Sequence, residues 1–181
     1  MRGTANGIPL KGENEWPKID PKIGYVDLYD YERRNFNLEA DMSEAWRVEI
    51  LRQFTFPEFR GEYFAPEEIV FNAIALAGHK IRWFPKIICI CEFQDDGLTK
   101  NELALQKNNP LGYSTMWKYK LKLKTTIKEK IFCLSQAGGL ALYSGKIKYI
   151  WIDNDYKFLS TLLLPISFLI FLRRKMQFKN Y

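Results

Sequence analysis

Histidine occurs once in this chain, at His79, and cysteine only three times. Cys89 and Cys91 alternate on one face of a predicted strand, where they can pack as small hydrophobes, and Cys133 is far away in sequence. Neither a disulfide framework nor a zinc site is expected from that spacing, and a reducing, cytoplasmic setting fits it. The opening MRGTANGIPLKGENEWP has no apolar core, so no signal peptide is expected. A full apolar span is also missing. The fifteen uncharged residues Phe158–Leu172 fall short of the roughly 20 that cross a bilayer, and Pro165 interrupts them. There is no internal repeat, no low-complexity tract, and no zinc spacing or aromatic RNP run of a nucleic-acid binder.

What remains is a chain of 181 residues that is 47% hydrophobic, enough for a packed core and too apolar for a disordered segment. Its aromatic share of 15% suits sugar-handling surfaces, ordinary cores and membrane-interface belts alike. The net charge of +6 is uneven: from Trp117 to Lys148 there are eight lysines against the single acid Glu129, whereas Glu58–Asp96 is rich in carboxylates. A basic C-terminal third beside an apolar tail points to an anionic membrane surface rather than to nucleic acid.

Gly, Pro, Asn and charged residues dominate 1–35, which reads as loops with a strand near Ile23–Leu28. A helix is predicted over Ser43–Phe54, capped by Asp41 with Glu44 three residues on, and presenting Trp46, Ile50 and Phe54 on one face. A second helix is delimited by Pro66 at its first position, by Glu67 and Glu68 in its first turn, and by Gly78 beyond its end. Its buried stripe is expected to comprise Ile69, Val70, Ala73, Ile74 and Ala77. A strand at Ile87–Phe93 follows, whose apolar run Ile87–Ile90 suggests burial on both faces, and Asp95-Asp96-Gly97 makes a turn. Beyond Asn108-Asn109-Pro110, the positions Met116, Tyr119, Leu123, Ile127, Ile131 and Leu134 approximate the stripe of one basic amphipathic helix. Phe158–Leu172, with Arg173-Arg174-Lys175 after it, reads as a re-entrant or interfacial anchor whose cations meet headgroups; the competing reading is a buried C-terminal helix.

Glu62, Glu67 and Glu68 crowd three carboxylates around the start of the second helix. Acids in a first turn complement the helix dipole for purely structural reasons, but a positioned carboxylate can also act as a general base. Trp83 and Phe84 can stack on a sugar ring or fill a core, and His79 is expected to be structural. Asp153-Asn154-Asp155 is the one Asp-x-Asp in the chain and reads as a solvated turn.

Two phrases carry a family resemblance. Phe56–Glu67 has the form Phe-Pro-Glu-Phe-x-Gly-Glu-x-Phe-x-Pro-Glu, and Asp96–Asn101 reads Asp-Gly-Leu-Thr-Lys-Asn. In this order, across Asp41–Tyr113, they resemble the polysaccharide-building branch of family 2 glycosyltransferases. The resemblance implies an α/β architecture: an incomplete GT-A-like domain over 1–113, acceptor side only, and a basic helical, membrane-associated tail over 114–181. It implies an inverting transfer of a sugar from a nucleotide-sugar to a polysaccharide or glycolipid precursor, on a saccharide or lipid-linked acceptor. Glu67 stands at the family's base position, where Asp is more usual, with Glu68 and Glu62 as alternatives. Asp95, Asp96 and Lys100 would face the cleft, Lys100 towards the diphosphate, and Trp83 towards a sugar. The full-length enzyme would use a divalent metal, Mg or Mn, but the family's ligating motif precedes the matched region. The nucleotide-binding strands are accordingly expected upstream of Met1, and the chain alone is expected to be inactive or nearly so. The location implied is the cytoplasmic face of the cell membrane, with peripheral or monotopic attachment. Two other readings stand beside this one: a non-catalytic membrane-associated interaction module or degenerate remnant, and a basic nucleic-acid binder.

Overall fold

Short strands and longer helices divide the chain in the computed structural model, which describes residues 2–4, 6–8, 18–38, 42–91 and 101–180. The protein is mixed α/β and mostly helical, and it forms two compact units. One unit draws on residues 1–55 and 71–95, the other on 56–70 and 96–181.

In the first unit, β2 (Val26–Leu28) pairs antiparallel with β3 (Ile81–Trp83), in the register Val26 to Trp83, Asp27 to Arg82 and Leu28 to Ile81. The two-residue alternation of a strand sets Leu28 and Trp83 inward, into a core with Leu38 and Met42. It sets Asp27 and Arg82 outward, where the guanidinium grips both carboxylate oxygens at 2.8 and 2.7 Å. That grip, through the Arg82 hydrogen bonds first, holds the Asp27 carboxyl below its usual range. A second two-stranded sheet joins β1 (Arg2–Gly3) in parallel to β4 (Cys89–Ile90). The Ile87 side chain fills the place where a Cβ on Gly3 would stand.

α2 (Glu68–Leu76) ends as its glycine requires. Gly78 takes a φ of +88°, the His79 amide donates to Ile74 O at 3.2 Å and the Gly78 amide to Ala75 O at 3.0 Å, a Schellman ending. The His79 ring meets Phe54 edge-on with centroids 6.5 Å apart. Burial on α2 is broader than one stripe: Phe71, Asn72 and Ala75 are buried beside Ile69, Val70 and Ile74, while Ala77 is exposed.

The second unit is helical: α3 (Glu102–Asn108), α4 (Pro110–Lys122), α5 (Ile127–Tyr143), α6 (Lys157–Leu162) and α7 (Leu164–Gln177). α5 packs against both α4 and α7. Its core gathers Tyr113, Met116, Leu140 and Phe178 around Ile69, and Leu121, Cys133, Leu134 and Leu163 in a neighbouring cluster. Ser114 Oγ donates to Ala137 O at 2.9 Å across the α4–α5 contact.

Three expectations about elements are corrected. The helix over Ser43–Phe54 contracts to α1 (Val48–Leu51), which has no side-chain cap; Asp41 lies outside the described residues. Trp46 precedes the helix and stacks on Phe71 at 5.0 Å, a tertiary contact that replaces the helical face. The strand predicted at Ile87–Phe93 is limited, among the described residues, to Cys89–Ile90, and Ile88 and Ile90 are 65% and 67% exposed rather than buried on both sides. Among the described residues its partner strand is β1, two residues long and too little to cover it. The single basic helix is two helices, because Thr126 starts α5 as a capping residue: its Oγ1 accepts the Glu129 amide and donates to the Glu129 carboxylate at 2.7 Å.

Candidate functional site

The segment Phe56–Ala65 is irregular because Pro57, Gly61 and Pro66 deny it a helix, and Gly61 takes a φ of +87°. It encloses an open cleft of about 670 Å³, lined by Phe56, Pro57, Glu58, Arg60, Glu62 and Tyr63 among others. The Tyr63 side chain is 98% exposed, an aromatic face offered to solvent.

Reciprocal hydrogen bonds fix this segment to the start of α4. Glu62 takes the Leu111 amide on one carboxylate oxygen at 2.8 Å and the Gly112 amide on the other at 2.9 Å. In return, Asn109 Oδ1 accepts the amides of Tyr63 and Phe64 at 2.8 and 2.9 Å, while its Nδ2 donates to Leu105 O. A helix N-terminus leaves its first amides unpaired, and a carboxylate is their best acceptor. Pro110 opens the helix with no amide to satisfy. Gly112 is required here: a Cβ would lie 2.8 Å from Phe64 O.

The three candidate carboxylates therefore differ in what they already hold. Glu62 spends both oxygens on α4. Glu68 pairs with Lys120 Nζ at 2.7 Å. Glu67 is exposed, and its carboxylate makes no hydrogen bond or ion pair among the described residues.

Behind the cleft segment, Phe59 meets the Tyr149 ring edge-on at 5.6 Å, and Tyr149 Oη shares a hydrogen bond of 2.8 Å with Thr115 Oγ1. Lys118 is 4% exposed; its ammonium lies 3.8 Å from the centre of the Tyr149 ring and donates to the Tyr149 and Ile152 carbonyls, the latter at 2.7 Å. Burial pushes its pKa down to about 8, with Asp153 pulling weakly the other way.

Trp83 belongs to the first unit, where it is buried in the core and borders a separate cavity of about 430 Å³; the Arg33 guanidinium lies 4.8 Å from its ring centre. Asp95, Asp96 and Lys100 lie outside the described residues. Asp153 takes a φ of +50°, and Asn154 between the two aspartates is buried, its amide donating to Ile150 O and Ser160 Oγ. With its middle residue turned into the fold, this Asp-x-Asp serves as a turn, and no cluster of three or more His, Cys, Asp or Glu able to hold a metal ion exists among the described residues.

Asn109 and Lys118 were not among the candidates read from sequence. Asn109 had a signal, an Asn directly before a Pro that opens a helix. Lys118 had none, since it sits among seven other lysines between Trp117 and Lys148 and only packing distinguishes it. No protein-family model, curated protein or solved structure matches this chain.

Proposed function

We propose that this chain is the acceptor-side part of a family 2 glycosyltransferase with a GT-A-like fold. It works with a nucleotide-binding half to move a sugar from a nucleotide-sugar to a saccharide or lipid-linked acceptor. The observation that carries the reading is the state of Glu67. It follows the cleft segment by two residues, it is exposed, and it alone of the three carboxylates has no other partner among the described residues. A general base needs a carboxylate free to receive the acceptor's proton, within hydrogen-bond reach of its hydroxyl. Glu62, by contrast, is assigned to holding the cleft segment on α4, and Glu68 to pairing with Lys120. Tyr63 offers a ring on which a sugar face can stack.

The test is sugar transfer by the complete reading frame that contains this chain, wild type against Glu67→Gln, with circular dichroism as the folding control. Loss of transfer of a hundredfold or more with an unchanged spectrum supports Glu67 as the base. Unchanged transfer removes it. A second reading, a non-catalytic interaction module, is favoured by the structural engagement of Glu62 and Glu68, and it predicts no transfer from any nucleotide-sugar by wild type.

A further inference from the structure

α7 turns small and polar residues towards α5 beside Ile170 and leaves an apolar stripe outside. Ser167 is 1% exposed and faces α5, where a Cβ on Gly138 would overlap its side chain. Arg174 also turns inward, half-buried, and donates to Gln136 Oε1 at 3.2 Å. The outward side carries the apolar residues: Leu162, Ile166, Leu169, Leu172 and Met176 are all exposed, Leu169 at 64%. Their spacing of i, i+4, i+7, i+10 and i+14 makes one stripe. It is continuous from α6 into α7, because the Leu163 amide bonds to Leu159 O and the Ser167 amide to Leu163 O, both at 2.9 Å. Phe158, 79% exposed, extends the apolar surface at the α6 end.

A helix in water buries its apolar residues, whereas this one leaves a whole apolar stripe exposed while it buries Ser167 and half-buries Arg174 beside Leu163 and Ile170. Small residues at a close helix contact with apolar residues outside are the arrangement of helices in lipid. Charge points the same way: from Tyr156 to Tyr181 there are five cations, Lys157, Arg173, Arg174, Lys175 and Lys179, and no acid. No helix among the described residues is long and apolar enough to cross a membrane. The uncharged run of fifteen residues covers about 22 Å of helix against a hydrocarbon core of about 30 Å.

We infer that the outer face of α6–α7 lies in the plane of an anionic bilayer surface, with Leu162, Ile166, Leu169, Leu172 and Met176 among the acyl chains and Lys157, Arg173 and Lys175 at the headgroups. This rests on the helix face and its charge, and stands whether or not the chain transfers sugar.

The experiment is co-sedimentation of the full chain with vesicles of phosphatidylcholine alone and of phosphatidylcholine with 30% phosphatidylglycerol, followed by Leu169→Trp fluorescence with brominated acyl chains. The expected result is binding to the anionic vesicles that falls at least tenfold in Leu169→Glu and in the pair Arg173→Glu and Lys175→Glu, weakens with salt, and shows bromine quenching of the new tryptophan. Circular dichroism of each variant separates lost binding from lost folding. Failure to bind anionic vesicles, or an unquenched tryptophan at position 169, overturns the inference. A dimer in sedimentation equilibrium that Leu169→Glu dissociates, without vesicle binding, would assign the face to a second copy instead.

Discussion

Glu62 accepts the backbone amide of Leu111 at 2.8 Å across a separation of 49 residues, and its other oxygen accepts the amide of Gly112. One side chain thus caps a helix from another part of the chain and sets the position of the cleft segment that contains it. Hydrogen bonds to a charged group are each worth about 1.5–3 kcal/mol, and leaving buried amides unpaired adds a desolvation cost. Glu62→Ala is expected to lower the stability of the second unit by about 3–6 kcal/mol. Glu62→Gln is expected to lower it nearly as much, because its amide group presents N–H to an N–H. Urea denaturation followed by circular dichroism reads both, and a loss under about 0.5 kcal/mol for Glu62→Ala would remove the cap from this account.

The same clamp explains Gly112. A methyl group there would press on Phe64 O at 2.8 Å and on Ala65 Cα at 3.3 Å, both backbone atoms that cannot rotate away. Gly112→Ala is expected to cost about 1–3 kcal/mol, despite alanine's better helix propensity. Proteolysis offers a local readout: trypsin should cut after Arg60 faster in Gly112→Ala than in wild type. Equal cutting with an unchanged melting temperature would mean that the segment and the helix are not in register as described.

Glu67 and Glu68 are neighbours with different expected sensitivities. Glu68→Gln breaks a half-exposed ion pair with Lys120 and should cost under about 1 kcal/mol, with transfer retained. Glu67→Gln should leave stability within about 0.5 kcal/mol and, on the proposed function, abolish transfer by the complete reading frame. A thermal melt and a transfer assay on the two variants decide the assignment. The reverse pattern, transfer lost only in Glu68→Gln, would move the base to Glu68.

Local signals were legible where one residue type had one physical reason to be present. Gly78 marked the end of α2 because the left-handed φ it adopts is strained for other residues, and Pro66 with Glu67 and Glu68 marked its start within two positions. The join between α4 and α5 escaped the periodic reading for a numerical reason. Met116 and Ile127 are 11 residues apart, close to three helical turns, so the apolar stripe runs through the break in phase. The Thr126–Glu129 capping spacing held the correction. β3 was missed because three residues, Ile81-Arg82-Trp83, are too few for alternation to register. Most of the candidate site was illegible for a different reason. The contacts of Glu62 with Leu111 and Gly112, and of Asn109 with Tyr63 and Phe64, join residues 45 to 50 apart, and no spacing rule encodes them.

Lys118 makes stability depend on pH in a window that can be named. Its folded pKa of about 8 lies below the ordinary lysine value of 10.5, chiefly because burial disfavours the charged form. Between those values the unfolded chain binds more protons than the folded one, so stability rises with pH, and the gain is lost as pH falls through about 8. Four groups oppose it higher up: burial raises the Cys133 thiol and the Tyr31 and Tyr149 hydroxyls, and raises Tyr113 to about 12, so all favour the unfolded state once their unfolded counterparts ionise above about 9 for the thiol and 10 for the tyrosines. The rise should therefore be visible from pH 8 to 9, amounting to about 1 kcal/mol, and should flatten or reverse beyond. Lys118→Met removes the titrating group and leaves the Tyr149 and Ile152 carbonyls without their donor. Its stability should be lower overall but level across pH 8 to 9. Urea midpoints of wild type and variant at quarter-unit steps isolate the effect, because the Cys133 and Tyr113 contributions cancel in the difference. A difference that stays constant over that interval would mean that Lys118 does not titrate there and that its ammonium is stable in its buried position against Tyr149.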